Sequence, residues 1–269
     1  MNKKNLILHC HIFKNAGSTL DWALQRNYGE NFCDHREDAL MQKQGAGYLN
    51  EYIKNNPSFT VISSHHMPFT PNKISKSWWL ILLREPIRRV KSVFEFEEKQ
   101  PISSLGSKMA KELNFSDYII WRMRDDVPSI IKNHHVRYLN NINNPARIID
   151  DNFVESALSH LNLDNVLTGT VERFDESMVV FEHILKTNFP KLDLAYVPQN
   201  TSKQPTCPPH AFLDKLSNEA KTALLSNNRL DSQLYHKADK KLSTSTREIP
   251  EFEKKLKEFK NRCQLLLNT

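Results

Sequence analysis

A six-residue segment near the start of the chain carries groups that bind anions. It reads Lys14-Asn15-Ala16-Gly17-Ser18-Thr19 and lies between an apolar run and an amphipathic pattern. Gly17 lets the backbone approach a phosphate closely, and Lys14 supplies a positive charge. Ser18 and Thr19 supply hydroxyl donors where a predicted helix begins, and the unpaired N–H groups and dipole of a helix attract anions there. The segment predicts an anion cradle, with an ordinary turn capped by Ser18 as the simpler alternative.

This segment differs from the phosphate loop of nucleoside triphosphatases. That loop reads Gly-x-x-x-x-Gly-Lys-Ser/Thr, with its lysine directly before the hydroxyl residue. Here Lys14 lies three residues before Gly17, the one glycine of the segment. A magnesium-dependent enzyme also needs a carboxylate at the end of a neighbouring strand, where this chain has Arg84. No magnesium site is therefore predicted.

Arg84 and Ser92 can bind a second phosphate group, away from Lys14. Arg84 closes the most apolar run of the chain, and open α/β sheets bind ligands beyond the carboxyl ends of their strands. A guanidinium donates two parallel hydrogen bonds to a phosphate. Pro86 suits the first turn of the helix that carries Ser92. The other basic residues of this helix are interpreted as a solvated face: Arg88, Arg89 and Lys91.

The elements that position these residues alternate between apolar runs and helical patterns. Apolar runs predict four strands, at residues 6–13, 59–64, 77–83 and 165–170. Strands that alternate with helices predict an α/β fold, a three-layer sandwich with a central, mainly parallel sheet and a P-loop-like strand, loop and helix. Residues 1–245 are predicted to form one domain. Residues 246–269 are predicted to form an amphipathic helix that packs on it.

Composition narrows the class of protein. The net charge of +6 over 269 residues favours anionic ligands. No basic stripe with interleaved aromatic residues is present, which argues against nucleic acid as a partner. No apolar run approaches the ~20 residues that span a bilayer, so no membrane partner is expected. The four cysteines lack paired spacing, which is typical of reduced thiols in a cytoplasmic protein.

His9 and His11 invite a metal interpretation, because alternate residues of a strand lie on one side of it. A zinc site needs a third protein ligand and usually a fourth. No third ligand lies nearby in the sequence. We therefore predict no metal.

Two segments resemble the nucleotide motifs of sulfotransferases that use 3′-phosphoadenylyl sulfate (PAPS). The segment His11-Ile-Phe-Lys-Asn-Ala-Gly-Ser-Thr-Leu20 resembles their 5′-phosphosulfate loop, with Phe13 in place of the usual proline. The segment Leu83-Arg-Glu-Pro-Ile-Arg-Arg-Val-Lys-Ser92 resembles their 3′-phosphate motif. Residues 167–177 and 216–235 are similar to further family blocks. The pattern is most similar to carbohydrate enzymes, such as heparan sulfate 2-O- and 6-O-sulfotransferases and their bacterial relatives.

The resemblance implies a PAPS-dependent sulfotransferase that moves a sulfuryl group to an acceptor hydroxyl on a carbohydrate, without a metal. Lys14 would stabilise the leaving phosphate. His66 would take the hydroxyl proton, with His65 as the other candidate, because Ser64-His-His-Met-Pro-Phe69 is similar to a Gly-His-Phe-Pro-Phe pattern. The implied ligands of PAPS and of its product PAP are Lys14, Asn15, Ala16, Gly17, Ser18, Thr19, Arg84 and Ser92. The reserve candidates for the base are Glu95 and Glu97.

The acceptor is expected to be a glycan or another small molecule with a polar hydroxyl. Residues 29–57 and 101–146 are the expected walls of its site, since loops on a rigid sheet usually carry specificity. The side chains available there for stacking on sugars and pairing with acidic ones are Trp121, Arg122, Arg124, His134, His135 and Arg137. Two other classes remain as alternatives, a P-loop kinase that uses ATP and magnesium, and a non-catalytic anion- or glycan-binding module.

Overall fold

The computed structural model describes residues 5–36, 38–128, 130–144, 146–199 and 211–268. The chain divides into two compact units. We call one the sheet unit, drawn from Met1–Leu83, Leu158–Thr201 and His236–Thr269. We call the other the helical unit, drawn from Arg84–Ala157 and Ser202–Tyr235.

Five parallel strands form the centre of the sheet unit. They are β1 Leu6–Cys10, β2 Phe32–Asp34, β3 Val61–Ser64, β4 Ser77–Leu83 and β5 Val166–Thr170. Their order is β2-β3-β1-β4-β5, with Ile7 of β1 level with Val61 on one side and Trp78 on the other. Because every pair is parallel, the carboxyl ends of all the strands meet at one edge.

The helices of the described residues lie between and after the strands, and none of them separates β3 from β4. In chain order they are α1 Gly17–Tyr28, α2 Asp38–Gln44, α3 Ala46–Asn55, α4 Pro86–Lys99, α5 Leu105–Glu112, α6 Phe115–Arg122, α7 His134–Leu139, α8 Asp151–Leu161, α9 Phe174–Leu185, α10 Asn218–Ser226, α11 Arg229–Glu248 and α12 Phe252–Leu267. Short 3-10 helices span Gly29–Asn31, Val171–Arg173 and Ala211–Lys215. Within the described ranges, none of the helices combines the length and the apolar character needed to span a bilayer.

Both faces of the sheet are buried, which confirms the predicted α/β class. Alternate strand residues such as Ile7, Leu80 and Leu82 join the core formed with α1 and α9. Their neighbours Leu8 and Trp79, which point to the opposite face, are also fully buried. Four strands lie within the predicted apolar runs. The sequence interpretation missed β2, because three residues that are not buried carry too little periodicity to predict a strand.

The C-terminal helix α12 packs on the same core. Phe259 is fully buried there. The residues of α12 that are partly buried against it are Phe252, Leu256, Cys263 and Leu266. Arg173 occupies the cap position of α9, without a side-chain hydrogen bond that caps the helix. Asp175 lies in the first turn and accepts a hydrogen bond from the Tyr196 hydroxyl at 2.7 Å.

The helical unit contains a buried ion pair and a second buried arginine. Nη2 of Arg122 lies 2.5 and 2.6 Å from the two carboxylate oxygens of Glu97, which also accepts from the Tyr118 hydroxyl. Arg89 is fully buried and donates to the carbonyl of Ile130 at 2.9 Å. The interpretation of Arg89 as part of a solvated face is therefore wrong, because the helix turns this residue inward.

Candidate anion cradle and histidine cluster

The loop between β1 and α1 holds two residues in a conformation that costs energy. Lys14 has a φ of 64° and Ala16 a φ of 57°, on either side of Asn15. The left-handed region costs a residue with a side chain about 1–3 kcal/mol, and such strain concentrates at functional sites. Turns with left-handed residues also direct successive N–H groups into one concavity that binds anions.

The residue at the cap position of α1 does not cap the helix with its side chain. Ala16 occupies the cap position without a side-chain hydrogen bond, and Ser18 is exposed. The alternative of a turn capped by Ser18 is therefore wrong. The first N–H groups of α1 and the positive end of its dipole remain directed at the loop, as an anion site requires.

Two of the predicted loop ligands hold the loop in place. The buried side chain of Asn15 donates from Nδ2 to the carbonyl of Leu82 on β4, at 2.7 Å. The hydroxyl of Thr19 accepts from the backbone N–H of Gln199 at 3.1 Å. These bonds anchor the loop to the sheet and to a distant segment, so that Lys14, Gly17 and Ser18 are the side chains and backbone best placed for a ligand.

A neighbouring histidine requires glycine at position 17. A Cβ atom at this position would lie 2.1 Å from Cδ2 and 2.5 Å from Nε2 of His11. Such contacts are too short for any side chain, so only glycine lets the imidazole of His11 lie against the first residue of α1. The loop and the end of β1 are thus packed as one piece.

A buried carboxylate joins the two histidines of β1 and its loop. Oδ1 of Asp21 lies 2.7 Å from Nδ1 of His9, and Oδ2 lies 2.7 Å from Nδ1 of His11. Burial alone would raise the pKa of Asp21, but the attraction and hydrogen bonds of the two imidazoles outweigh it and hold that pKa well below its usual range. Burial lowers the pKa of His9, which favours its neutral form. His9 and His11 therefore both donate a hydrogen bond to the ionised carboxylate of Asp21.

The expectation that no third ligand lies near His9 and His11 is wrong, because Asp21 completes a group whose ligand atoms lie within 4.8 Å of one another. The geometry nevertheless favours hydrogen bonds over a metal. A cation would take the Nδ1 lone pairs and leave the proton on Nε2. For His9 that atom is buried with no hydrogen-bond partner among the described residues, so it would become an unsatisfied donor.

The two histidines after β3 have different contacts. Nδ1 of His65 donates to the main-chain carbonyl of His11 at 2.8 Å, and the two rings pack with centroids 4.1 Å apart. The side-chain amide of Gln42 lies 2.6 Å from Nδ1 of His66. A carbonyl only accepts, so it determines the tautomer of His65, whereas an amide can pair with either tautomer of His66.

Arg84 and Ser92 belong to the helical unit, where both are partly buried. Arg84 directly follows β4, and α4 begins two residues later at Pro86, as predicted. The carboxylate of Glu85 accepts from the N–H groups of Ile87 and Arg88, and so caps α4 with a side chain. This start of a helix differs from that of α1, which has no such cap.

Two other family-like segments have packing roles in the structure. A Cβ on Gly169 would lie 2.5 Å from Cβ of Ser177, whose hydroxyl accepts from the N–H of Thr170. Asp231 is buried in the helical unit and accepts from the N–H groups of His135 and Val136 at the start of α7. Ser177 thus joins α9 to β5, and Asp231 fixes the start of α7.

A cavity of about 210 Å³ lies beside the start of α1. Its lining residues are Ser18, Asp21, Trp22, Gln25, Phe32, Asp34, Arg36 and Gln199. A larger cavity of about 490 Å³ lies near Arg173, but that guanidinium is already paired with Glu176 and Asp239. The smaller cavity is therefore the better candidate for a ligand that reaches the cradle.

Sequence reasoning missed Asp21 and Trp22 as site residues. The signal for Asp21 was a carboxylate next to Leu20 on the inward face of an amphipathic helix, where a charge needs a partner. No such signal existed for Trp22, since aromatic residues on a half-buried helix usually pack in a core.

A parallel α/β sheet with an anion cradle after its central strand is the arrangement of proteins that bind phosphate-bearing nucleotides. The model of the Sulfotransferase family matches residues 1–238, and the chain belongs to that family. Sulfuryl transfer is therefore the class of reaction to which it is assigned.

The chain is similar to a known protein in sequence and to a solved structure in fold. An uncharacterized protein of Archaeoglobus fulgidus is 26% identical over 221 residues, which are 80% of this chain and 86% of that protein. A crystal structure of a sulfotransferase from Alicyclobacillus acidocaldarius is 14% identical, with a TM-score of 0.38 over 84% of this chain and 96% of that one.

Proposed function

We propose that the protein transfers the sulfuryl group of PAPS to a carbohydrate hydroxyl. The observation that carries the proposal is the uncapped N-terminus of α1, preceded by left-handed Lys14 and Ala16, in a chain of the Sulfotransferase family. The first N–H groups of a helix, beside a lysine, suit a 5′-phosphosulfate. Arg84 and Ser92 are proposed to bind the 3′-phosphate, as their likeness to the family motif implies.

In the proposed reaction the acceptor oxygen forms a bond to sulfur while the bond between sulfur and the bridging phosphate oxygen breaks. Lys14 and the N–H groups at the start of α1 stabilise the negative charge that develops on the leaving PAP. The hydroxyl proton passes to a histidine. No metal takes part in these steps.

The base is proposed to be one of His65 and His66. The likeness to the family pattern names His66, whereas the hydrogen bonds favour His65. When Nδ1 of His65 donates to a carbonyl, the neutral ring carries its lone pair on Nε2, and a base needs such a lone pair. Glu97 is a poor reserve candidate, because Arg122 and Tyr118 already occupy both of its oxygens.

A carbohydrate acceptor is proposed from the family blocks and from the residues that remain accessible. Arg122 and His135, which were expected in the acceptor wall, are buried and hold the helical unit together. Trp121, Arg124 and His134 keep at least part of their surface exposed. Aromatic and cationic side chains of this kind stack on sugars and pair with acidic ones.

Incubation of the full chain with PAPS carrying labelled sulfate, and with a panel of glycans, phenols and peptides, tests the proposal. We expect label on at least one glycan and none when Lys14 is replaced by methionine. Transfer to phenols with none to any glycan would overturn the carbohydrate acceptor. Phosphoryl transfer from ATP and magnesium, without sulfuryl transfer, would indicate a kinase instead.

A further inference from the structure

The imidazole of His11 is held from three directions within the sheet unit. Its Nδ1 atom lies 2.7 Å from Oδ2 of Asp21, and its Cδ2–Nε2 edge lies against Gly17. Its face packs on His65, whose own Nδ1 donates to the His11 carbonyl. The side chain is almost fully buried, so these contacts leave the ring a single orientation.

Asp21 is a charged group that joins this ring to the start of α1. It lies one helical turn after Gly17 on α1, so it moves with the start of that helix. Its second oxygen accepts from His9, which also lies 3.1 Å from the Ser63 hydroxyl on β3. The carboxylate thereby links α1 to β1 directly, and to β3 through His9.

We propose that Asp21 is a positioning residue that holds the catalytic imidazole of His65 in register with the donor cradle, acting through His11. This role rests on the proposed function, with His65 as the base.

The carboxylate is the group that makes this arrangement possible. A carboxylate accepts hydrogen bonds on both oxygens, so it can accept one from Nδ1–H of His9 and one from Nδ1–H of His11 at the same time. An amide accepts on its oxygen and donates from its nitrogen, so asparagine at position 21 can match only one of the two rings in that tautomer. The other ring must move its proton to Nε2 or turn. Where His11 is that ring, the surface on which His65 packs changes with it.

The test compares Asp21→Asn with Asp164→Asn in the full chain. Asp164 is an exposed carboxylate of the same unit and lies two residues before β5, so its variant removes a charge at the amino ends of the strands, away from the cradle. Nitrogen-detected NMR of the imidazoles reports which ring nitrogen carries the proton. Turnover and acceptor KM are measured with labelled PAPS, and PAP binding is measured by thermal shift.

In the wild type we expect protons on Nδ1 of His9, His11 and His65. In Asp21→Asn we expect His9 or His11 to carry its proton on Nε2. We also expect kcat to fall about 10–100-fold, the usual loss when a residue that orients a functional histidine through a hydrogen bond is removed. PAP binding should change less than about twofold, and Asp164→Asn should match the wild type.

A wild-type His11 that carries its proton on Nε2 overturns the proposal, whether or not any variant folds. Unchanged kcat in a folded Asp21→Asn also overturns it, as does a loss of PAP binding in step with kcat, which would indicate general damage to the cradle. If no acceptor is sulfated by the wild type, the proposed function has failed, and the NMR measurements still decide whether Asp21 orders the histidines.

Discussion

Nδ1 of His65 donates to the main-chain carbonyl of His11 across 2.8 Å, and this bond ties the residue after β3 to the loop after β1. A backbone carbonyl cannot rotate or exchange roles, so the proton of His65 is assigned to Nδ1 by its partner. The neighbouring His66 meets a side-chain amide, which can serve either tautomer. Two adjacent histidines thus differ in what they can do for a hydroxyl proton.

The first prediction separates these two histidines. His65→Ala should lower turnover about 10²–10⁴-fold, the usual contribution of a general base, while PAP still raises the melting temperature. His66→Ala serves as the matched control and should lose less. The measurement is kcat for both variants beside their thermal shifts with PAP. A larger loss in His66→Ala would return the base to the residue that the family pattern names.

The second prediction concerns the nucleotide. PAP should raise the melting temperature without magnesium, and 5′-AMP should do so much less, because it lacks the 3′-phosphate proposed for Arg84 and Ser92. Arg84→Ala should weaken PAP binding by about 1.5–3 kcal/mol, the scale of hydrogen bonds to charged groups. Arg124→Ala is the control, since Arg124 is exposed and paired with Asp126. Equal shifts from PAP and AMP would remove the 3′-phosphate assignment.

The third prediction tests the contact between Gly17 and His11. Gly17→Ala should lower the free energy of unfolding by about 1–3 kcal/mol. The new methyl group overlaps the imidazole of His11, which its contacts with Asp21 and His65 hold in place. Gly47→Ala in α3 meets no atom within 4 Å and should raise stability by about 0.4–1 kcal/mol through the unfolded chain. Urea unfolding of both variants gives the comparison. Equal effects would show that His11 moves aside freely.

The fourth prediction follows from the lowered pKa of Asp21 and of His9. Unfolding restores both pKa values to their ordinary range, so the unfolded chain binds more protons than the folded one at low pH. The free energy of unfolding therefore decreases as the pH is lowered. The contribution of His9 should begin to fade below about pH 6.5, and that of Asp21 below about pH 4. Asp21→Asn should be less stable at neutral pH and should lose less on acidification. Urea unfolding at a series of pH values measures this, and parallel curves would contradict it.

The fifth prediction concerns the helical unit. Glu97→Gln should destabilise the protein by about 3–5 kcal/mol, because it leaves the buried guanidinium of Arg122 without its counter-charge. Glu98→Gln, one residue on and exposed, should change stability by less than about 0.5 kcal/mol. Thermal unfolding of the two variants checks the difference. A small effect in Glu97→Gln would mean that water reaches the arginine.

The local pattern of the sequence determined the class of fold and the position of the loop that forms the candidate cradle. Four strands, the start of α4 at Pro86 and the loop from Lys14 to Thr19 followed from periodicity, glycine and proline, because these act on the chain within a few residues. The tertiary structure decided which polar groups meet. Asp21 meets His9 and His11 only when α1 packs on β1, and Glu97 meets Arg122 only when α4 and α6 pack. A charge removed from water needs a counter-charge or a hydrogen bond. The partner can come from anywhere in the chain, so the local sequence shows that a partner is needed but does not show which residue it is.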